Sequence, residues 1–270
     1  MNIRRELPAL LLAVIGPAGI ACANTLTIDY YTIAATDQDA DHLAFGAYDN
    51  EVQNALGPNG LPVLNTAAFG CTSNCYPFNS GAGAPADVLP NGEITYWSPT
   101  LNNGGAGGTS DVTFTGSQTV SLPFDVPANF FPPNGTGSGD GPGNGYQAAV
   151  LMGTLDAPTT ESISFSIGAD DMAFAYLDGK VVCDLGGVHG STAGTCVSPF
   201  DISAGAHDLD VFFVDINQSQ AGLSFDVITS GVTTSGGGGT TAPEPSSLLL
   251  AGMGIATLLA FQSRRRFPRR

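Results

Sequence analysis

Short runs of β-forming residues, separated by turn-forming ones, are the dominant pattern along the chain. Six runs predict strands: "LTIDYYTI" (Leu26–Ile33), "SISFSI" (Ser162–Ile167), "MAFAYL" (Met172–Leu177), "VVCDL" (Val181–Leu185), "LDVFFVDI" (Leu209–Ile216) and "LSFDVI" (Leu223–Ile228). Several alternate apolar and polar positions, the period of a strand with one buried and one wet face. Asp178-Gly179, between two of the runs, tolerates the positive φ of a tight hairpin turn. No long segment has helical periodicity and there is no internal repeat. The pattern predicts an all-β fold, an antiparallel β-sandwich, as one domain over residues 24–232. "LNNGGAGGTS" (Leu101–Ser110) and "NGTGSGDGPGNG" (Asn134–Gly145) read as surface loops, and neither repeats the nonapeptide of a calcium β-roll.

Both ends break this pattern. Residues 1–23 combine Arg4 and Arg5, an apolar stretch from Ala9 to Ile15, and Ala21-Cys22-Ala23, the anatomy of a secretory signal peptide cleaved after Ala23. Lipoprotein processing at Cys22 is the competing reading, but Gly19 stands where such sites carry leucine. At the other end, "TTSGGGGTT" (Thr233–Thr241) reads as a flexible linker, placed at 233–242. It leads into Pro243-Glu244-Pro245, an apolar run from Leu248 to Phe261, and Arg264-Arg265-Arg266. Fourteen helical residues span ~21 Å, short of the ~30 Å hydrocarbon core. A short span with a basic cytoplasmic end suits a temporary stop in the membrane, with an ordinary C-terminal anchor as the alternative.

Charge narrows the partners. Between Asn24 and Gln262 there are 23 acidic residues against one base, Lys180, a net charge of −22. That excludes a surface for nucleic-acid phosphate or anionic lipid and leaves neutral or cationic partners such as sugars and metal ions. The same acidity also serves solubility outside the cell. Removal of Cys22 leaves Cys71, Cys75, Cys183 and Cys196, an even set that reads as disulfides in an exported chain. Three pairings are possible, and the local one, Cys71–Cys75 with Cys183–Cys196, is the simplest. Zinc is the rival reading, with no matching His or Cys pair to complete it.

The three-part tail resembles the PEP-CTERM sorting tail of bacteria, which implies processing by an exosortase-type enzyme. It also implies transient membrane contact and delivery to the cell surface or extracellular matrix. Within the body, "ALGPNGLPVLN" (Ala55–Asn65), "ITYWSPT" (Ile94–Thr100), "FFPPNGTG" (Phe130–Gly137) and "GADDMAFAYLDGKVVCDLGGVHG" (Gly168–Gly190) resemble, in order, segments of the fibro-slime domain. That family is related to the protective-antigen-type lectin sandwich, which carries a similar Gly-Ala-Asp-Asp. In those lectins the two aspartates are joined by a cis peptide bond and both bind a Ca²⁺ that coordinates sugar hydroxyls. The resemblance implies Ca²⁺ at Asp170 and Asp171. A later loop, "VDINQSQAG" (Val214–Gly222), then supplies Asp215 and Asn217 as further ligands, although its length differs and it lacks an aromatic beside the sugar. Two carboxylates plus a loop oxygen supply about half of the six to eight ligands Ca²⁺ takes. Without the resemblance, the aspartates read as a solvated pair in a turn.

The remaining polar clusters give less. "DQDADH" sets Asp37, Asp39 and Asp41 on alternate positions beside His42, but the glycine and glutamate an EF-hand needs are missing, so a solvated acidic loop is expected. His189 in "GGVHG" is expected either to contact a ligand or to make a structural hydrogen bond in its glycine turn, and His207 to sit at a strand entrance. No Gly-x-Ser-x-Gly elbow or His-Glu-x-x-His occurs, and adjacent aspartates lack the ~5 Å or greater separation of glycosidase carboxylates. The sequence thus points to a non-enzymatic, exported adhesin or matrix protein binding extracellular polysaccharide. A purely structural surface protein is the alternative and a carbohydrate-active hydrolase the third reading.

Overall fold

The computed structural model describes residues 24–37, 39–40, 46–48, 50–66, 86–105, 107–126, 145–217 and 221–236. The signal segment, Cys71, Cys75, Phe130–Gly137 and the C-terminal tail lie outside the described residues. Among the described residues, twelve strands form two antiparallel sheets. The larger holds β2 (Gly46–Tyr48), β8 (Lys180–Val188), β7 (Met172–Leu177), β10 (Gly205–Asp215), β5 (Tyr146–Ala157), β1 (Thr25–Ile33) and β3 (Val112–Ser121), in that order. The smaller runs β4 (Phe124–Val126), β11 (Gly222–Val227), β6 (Ser164–Asp170) and β9 (Thr192–Val197).

The two sheets explain two different sequence patterns. In the smaller sheet Phe165, Ile167, Leu223, Phe225 and Val227 face the core, while Ser164, Ser166, Ser224 and Asp226 are only partly buried. Alternation there marks one wet face. In β7 every residue from Met172 to Leu177 is buried. Ala173, Ala175 and Leu177 pack between the sheets with Leu151, Val211 and Phe213. Met172, Phe174 and Tyr176 point the other way, into a second core with Tyr96, Trp97, Phe212 and Val214. The segments 50–66 and 86–105 supply much of that second core and cover the outer face of the large sheet. A sheet buried on both faces needs continuous apolar runs, as in "MAFAYL" and "VFFV".

The six predicted strands correspond to β1, β6, β7, β8, β10 and β11, with shifted ends except for β7. Asp178 and Gly179 have φ of 50° and 68° and close the β7–β8 hairpin. Strands β3 and β5 carry no comparable signal. The first is a mostly exposed, Thr- and Ser-rich strand, and the second has few β-branched residues. Pairing to β10 on one side and β1 on the other makes β5 a strand. One expectation is corrected: Thr233–Gly236, read as the start of a flexible linker, is β12. It pairs with Gly153–Asp156, alongside the half of β5 that β1 does not reach. The domain therefore extends to Gly236.

Cys183 and Cys196 form a disulfide, with their Cα atoms 5.6 Å apart, as the local pairing expected. It ties β8 in the larger sheet to β9 in the smaller one.

Candidate functional site

Strand β6 ends at Asp170 in the smaller sheet and β7 begins at Met172 in the larger, so the aspartate pair is the crossover between the sheets. Its peptide bond is cis. The carboxylates are not solvated: Asp170 is 7% and Asp171 1% exposed. Two further loops close on them. From the β8–β9 loop, Ser191 N–H donates to Asp170 Oδ2 (3.0 Å) and His189 N–H to Asp171 Oδ1 (3.1 Å). After β10, the N–H groups of Ile216 and Asn217 both donate to Asp171 Oδ2 at 3.1 Å. Asn217 N–H is shared with Asp215 Oδ1 at 2.9 Å.

The structure therefore brings Asp170, Asp171, His189, Asp215 and Asn217 to one end of the sandwich. His189 reaches the pair through its main chain, while its ring Nδ1 lies 3.1 Å from the Gly190 carbonyl, the structural hydrogen bond of a glycine turn. Burial pushes the Asp171 carboxyl up to about 7, and the Asp170 charge adds to that rise. The three N–H donors oppose it. Three such bonds leave Asp171 room for about one more partner among its roughly four lone-pair sites.

Glu51, which the sequence does not single out, precedes Val52, whose N–H donates to Asp184 Oδ2 at 3.0 Å. It is fully buried, and burial followed by the charge of Asp184 raises its carboxyl well above the usual range, with Asp171 contributing further. A lone glutamate in "DNEVQNAL" carries no signal of such a position. Lys180, the sole base of the body, sits at the hairpin end of β7, a strand's length (~20 Å) from the pair. The donors Asp170, Asp171, Asp215 and Asn217 are all oxygen ligands of the hard type that Ca²⁺ takes. In donor chemistry and in local charge, the residues fit such an ion.

The other clusters also take definite places. His207 Nδ1 lies 2.6 Å from Asp178 Oδ2, and Asp208 N–H donates to Asp178 Oδ1 at 3.0 Å, so His207 fastens the hairpin turn at the entrance of β10. The acidic loop expected to be solvated is not. Asp37 and Asp39 are 9% and 3% exposed, and Asp37 faces Asp87 and Asp111 from distant segments. Burial, then the charges of Asp87 and Asp111, pushes the Asp37 carboxyl up to about 9. Asp41 and His42 lie outside the described residues.

Residues 241–266 match the family model of the PEP-CTERM protein-sorting motif. The match contains Pro243, Glu244, Pro245, Arg264, Arg265 and Arg266. No curated protein matches the chain in sequence. Similar solved structures include the PA14 domain of the MpAFP antifreeze protein, 18% identical with a TM-score of 0.29 over 37% of this chain. The chain spans 58% of that one's length. Another is a PA14 sugar-binding domain from an RTX adhesin, 14% identical with a TM-score of 0.32, covering 79% of this chain and 95% of that one. A third is the epithelial adhesin 9 A domain of Candida glabrata in complex with Galb1-4GlcNAc, 11% identical with a TM-score of 0.34 over 78% and 85% of the two chains. The chain is thus an all-β sandwich protein that ends in a PEP-CTERM sorting motif, the tag of an exported chain.

Proposed function

We propose that this protein is a surface-displayed or matrix adhesin that binds extracellular polysaccharide through Ca²⁺ held at Asp170 and Asp171. Asp215 and Asn217 are the further ligands. One observation carries the reading: loops from both sheets converge on two adjacent, buried carboxylates that have oxygen ligands around them and, among the described residues, no Lys or Arg beside them. The resemblance of Gly168–Asp171 to the lectin Gly-Ala-Asp-Asp supports the same assignment. The ion, once bound, supplies a Lewis-acidic contact for sugar hydroxyls. The chain's own part is to hold Asp170 and Asp171 in place with the Ser191, His189 and Ile216 amides. Weak binding at each site suffices when many copies share one matrix. The tail implies handling by an exosortase-type enzyme and a passing membrane contact through Leu248–Phe261.

A second reading, a structural surface protein without a ligand, is favoured by the three main-chain bonds already accepted by Asp171. In that case the aspartate only pins loops. Thermal unfolding of the full-length chain in detergent separates the two. A saturable, Ca²⁺-selective rise in Tm, absent with Mg²⁺ and lost in Asp170→Asn/Asp171→Asn, is expected, together with Ca²⁺-dependent retention on a glycan array. An equal response of wild type and double variant would sink the calcium reading. Turnover of a polysaccharide would overturn the non-enzymatic one.

A further inference from the structure

A second acidic group lies away from the Asp170–Asp171 crossover. Asp37 follows β1, Asp87 comes from the segment covering the large sheet, and Asp111 directly precedes β3. One carboxylate oxygen from each lies within 4.8 Å of the others. Asp87 is completely buried, and its Oδ2 has no hydrogen-bond partner. The same holds for Asp37 Oδ2 and for both oxygens of Asp111, so, among the described residues, four buried carboxylate oxygens accept from no amide or hydroxyl and have one another as neighbours. Crowding so many buried carboxylate oxygens together is costly unless protons or a cation are shared among them, and a single dication joins all three acids at once.

The rest of the cluster reads as scaffolding for that arrangement. Asp37 Oδ1 accepts from the N–H groups of Asp39 (2.7 Å) and Ala40 (2.9 Å), which leaves Oδ2 turned to the group. Asp39 Oδ2 accepts from Asp87 N–H at 2.8 Å. Asn102 donates through Nδ2 to Asp87 Oδ1 at 2.5 Å, and its Oδ1 accepts from Asp111 N–H at 3.1 Å. One amide thereby fixes two of the three acids. Gly104 lies against Asp87 so closely that a Cβ there would meet the carboxylate. Among the described residues no Lys or Arg serves the cluster, because Lys180 belongs to the β7–β8 hairpin.

We propose that Asp37, Asp87 and Asp111 form a second cation site that takes Ca²⁺ and fastens the covering segment 86–105 to the ends of β1 and β3. The chemistry is that of a hard dication: carboxylate oxygens from three separate segments, with no nitrogen or sulfur donor in the group. The site is structural. Tyr96 and Trp97, on the covering segment, are 0% and 4% exposed in the outer core, and the ion holds that segment down over them.

The test uses the full-length Asp170→Asn/Asp171→Asn chain, stripped with chelator and dialysed against Ca²⁺ alone. One ion per chain is expected, falling to none when Asp111→Asn or Asp87→Asn is added. No bound ion, or one retained by a folded Asp87→Asn/Asp111→Asn chain, overturns the proposal. Failure of the Asp170–Asp171 reading shows up separately, as equal ion counts in wild type and in the Asp170→Asn/Asp171→Asn chain. Terbium(III) gives a readout that needs no variant of the cluster. Thr95 donates through N–H and Oγ1 to the Asp87 main-chain oxygen at 2.8 and 2.9 Å, which makes the next residue, the buried Tyr96, the aromatic placed to sensitise a lanthanide bound there. Emission excited through Tyr96, displaced by Ca²⁺ and weakened by Tyr96→Phe, is expected. Its absence overturns the proposal.

Discussion

Removing the Cys183–Cys196 disulfide tests how the two sheets are joined and how the site is held. The bridge closes a loop across 13 positions that contains the end of β8, the His189–Ser191 turn and most of β9. The chain-entropy relation for a loop of about 14 residues gives a denatured-state entropy loss of about 10 cal/mol/K, or ~3 kcal/mol at 25 °C. In a domain of this size that corresponds to a fall in Tm of roughly 6–12 °C. Among the described strands β9 is the edge of the smaller sheet and pairs with β6 alone, so the bridge is its covalent link to the larger sheet. Cys183→Ala/Cys196→Ala is therefore expected to lose ~3 kcal/mol in urea unfolding. It is also expected to speed hydrogen exchange at the amides of Thr192–Val197, His189 and Ser191 more than at those of β7. A loss below about 1 kcal/mol, with β9 as protected as before, would refute the reasoning: sheet packing alone would then hold the edge.

Two further outcomes are expected. Burial, and then the charge of Asp208, pushes Asp210 up to about 6 from its ordinary 3.8. The unfolded chain thus loses this proton first, and Asp210 costs stability as pH rises from about 4 through 6, by roughly 2–3 kcal/mol. Asp210→Asn should remove that slope, raising Tm at pH 7 and leaving it unchanged at pH 3.5; parallel curves for both chains would contradict this. Phe225, 1% exposed and stacked on Phe165 at 5.8 Å between ring centroids, joins β11 to β6 in the inter-sheet core. Phe225→Ala should cost ~3–5 kcal/mol in urea unfolding, and a loss under 1 kcal/mol would place that ring outside the core.

Some of this protein could be read before folding, because the signal was local. The alternation in "SISFSI" and "LSFDVI", the Asp178-Gly179 turn and the Cys183–Cys196 spacing each depend on neighbours within about a dozen residues. The adjacency of Asp170 and Asp171 is equally visible in the sequence, while their burial is not. The solvated reading of Asp37 and Asp39 fails because hydrophilic composition does not reveal burial when the partners, Asp87 and Asp111, lie 48 and more positions away. Glu51 was missed for the same reason, and β12 because glycine-rich sequence reads as linker until a strand offers it an open edge.

By itself, then, the sequence determined the all-β class, the acidic exported character and the sorting tail, since composition and short-range periodicity specify these directly. Only the tertiary structure decided that the large sheet is buried on both faces, that β5 and β12 are strands, and that carboxylates from distant segments share one buried place. Those outcomes depend on contacts between segments far apart in the chain, where backbone pairing and desolvation act on whatever the fold brings together.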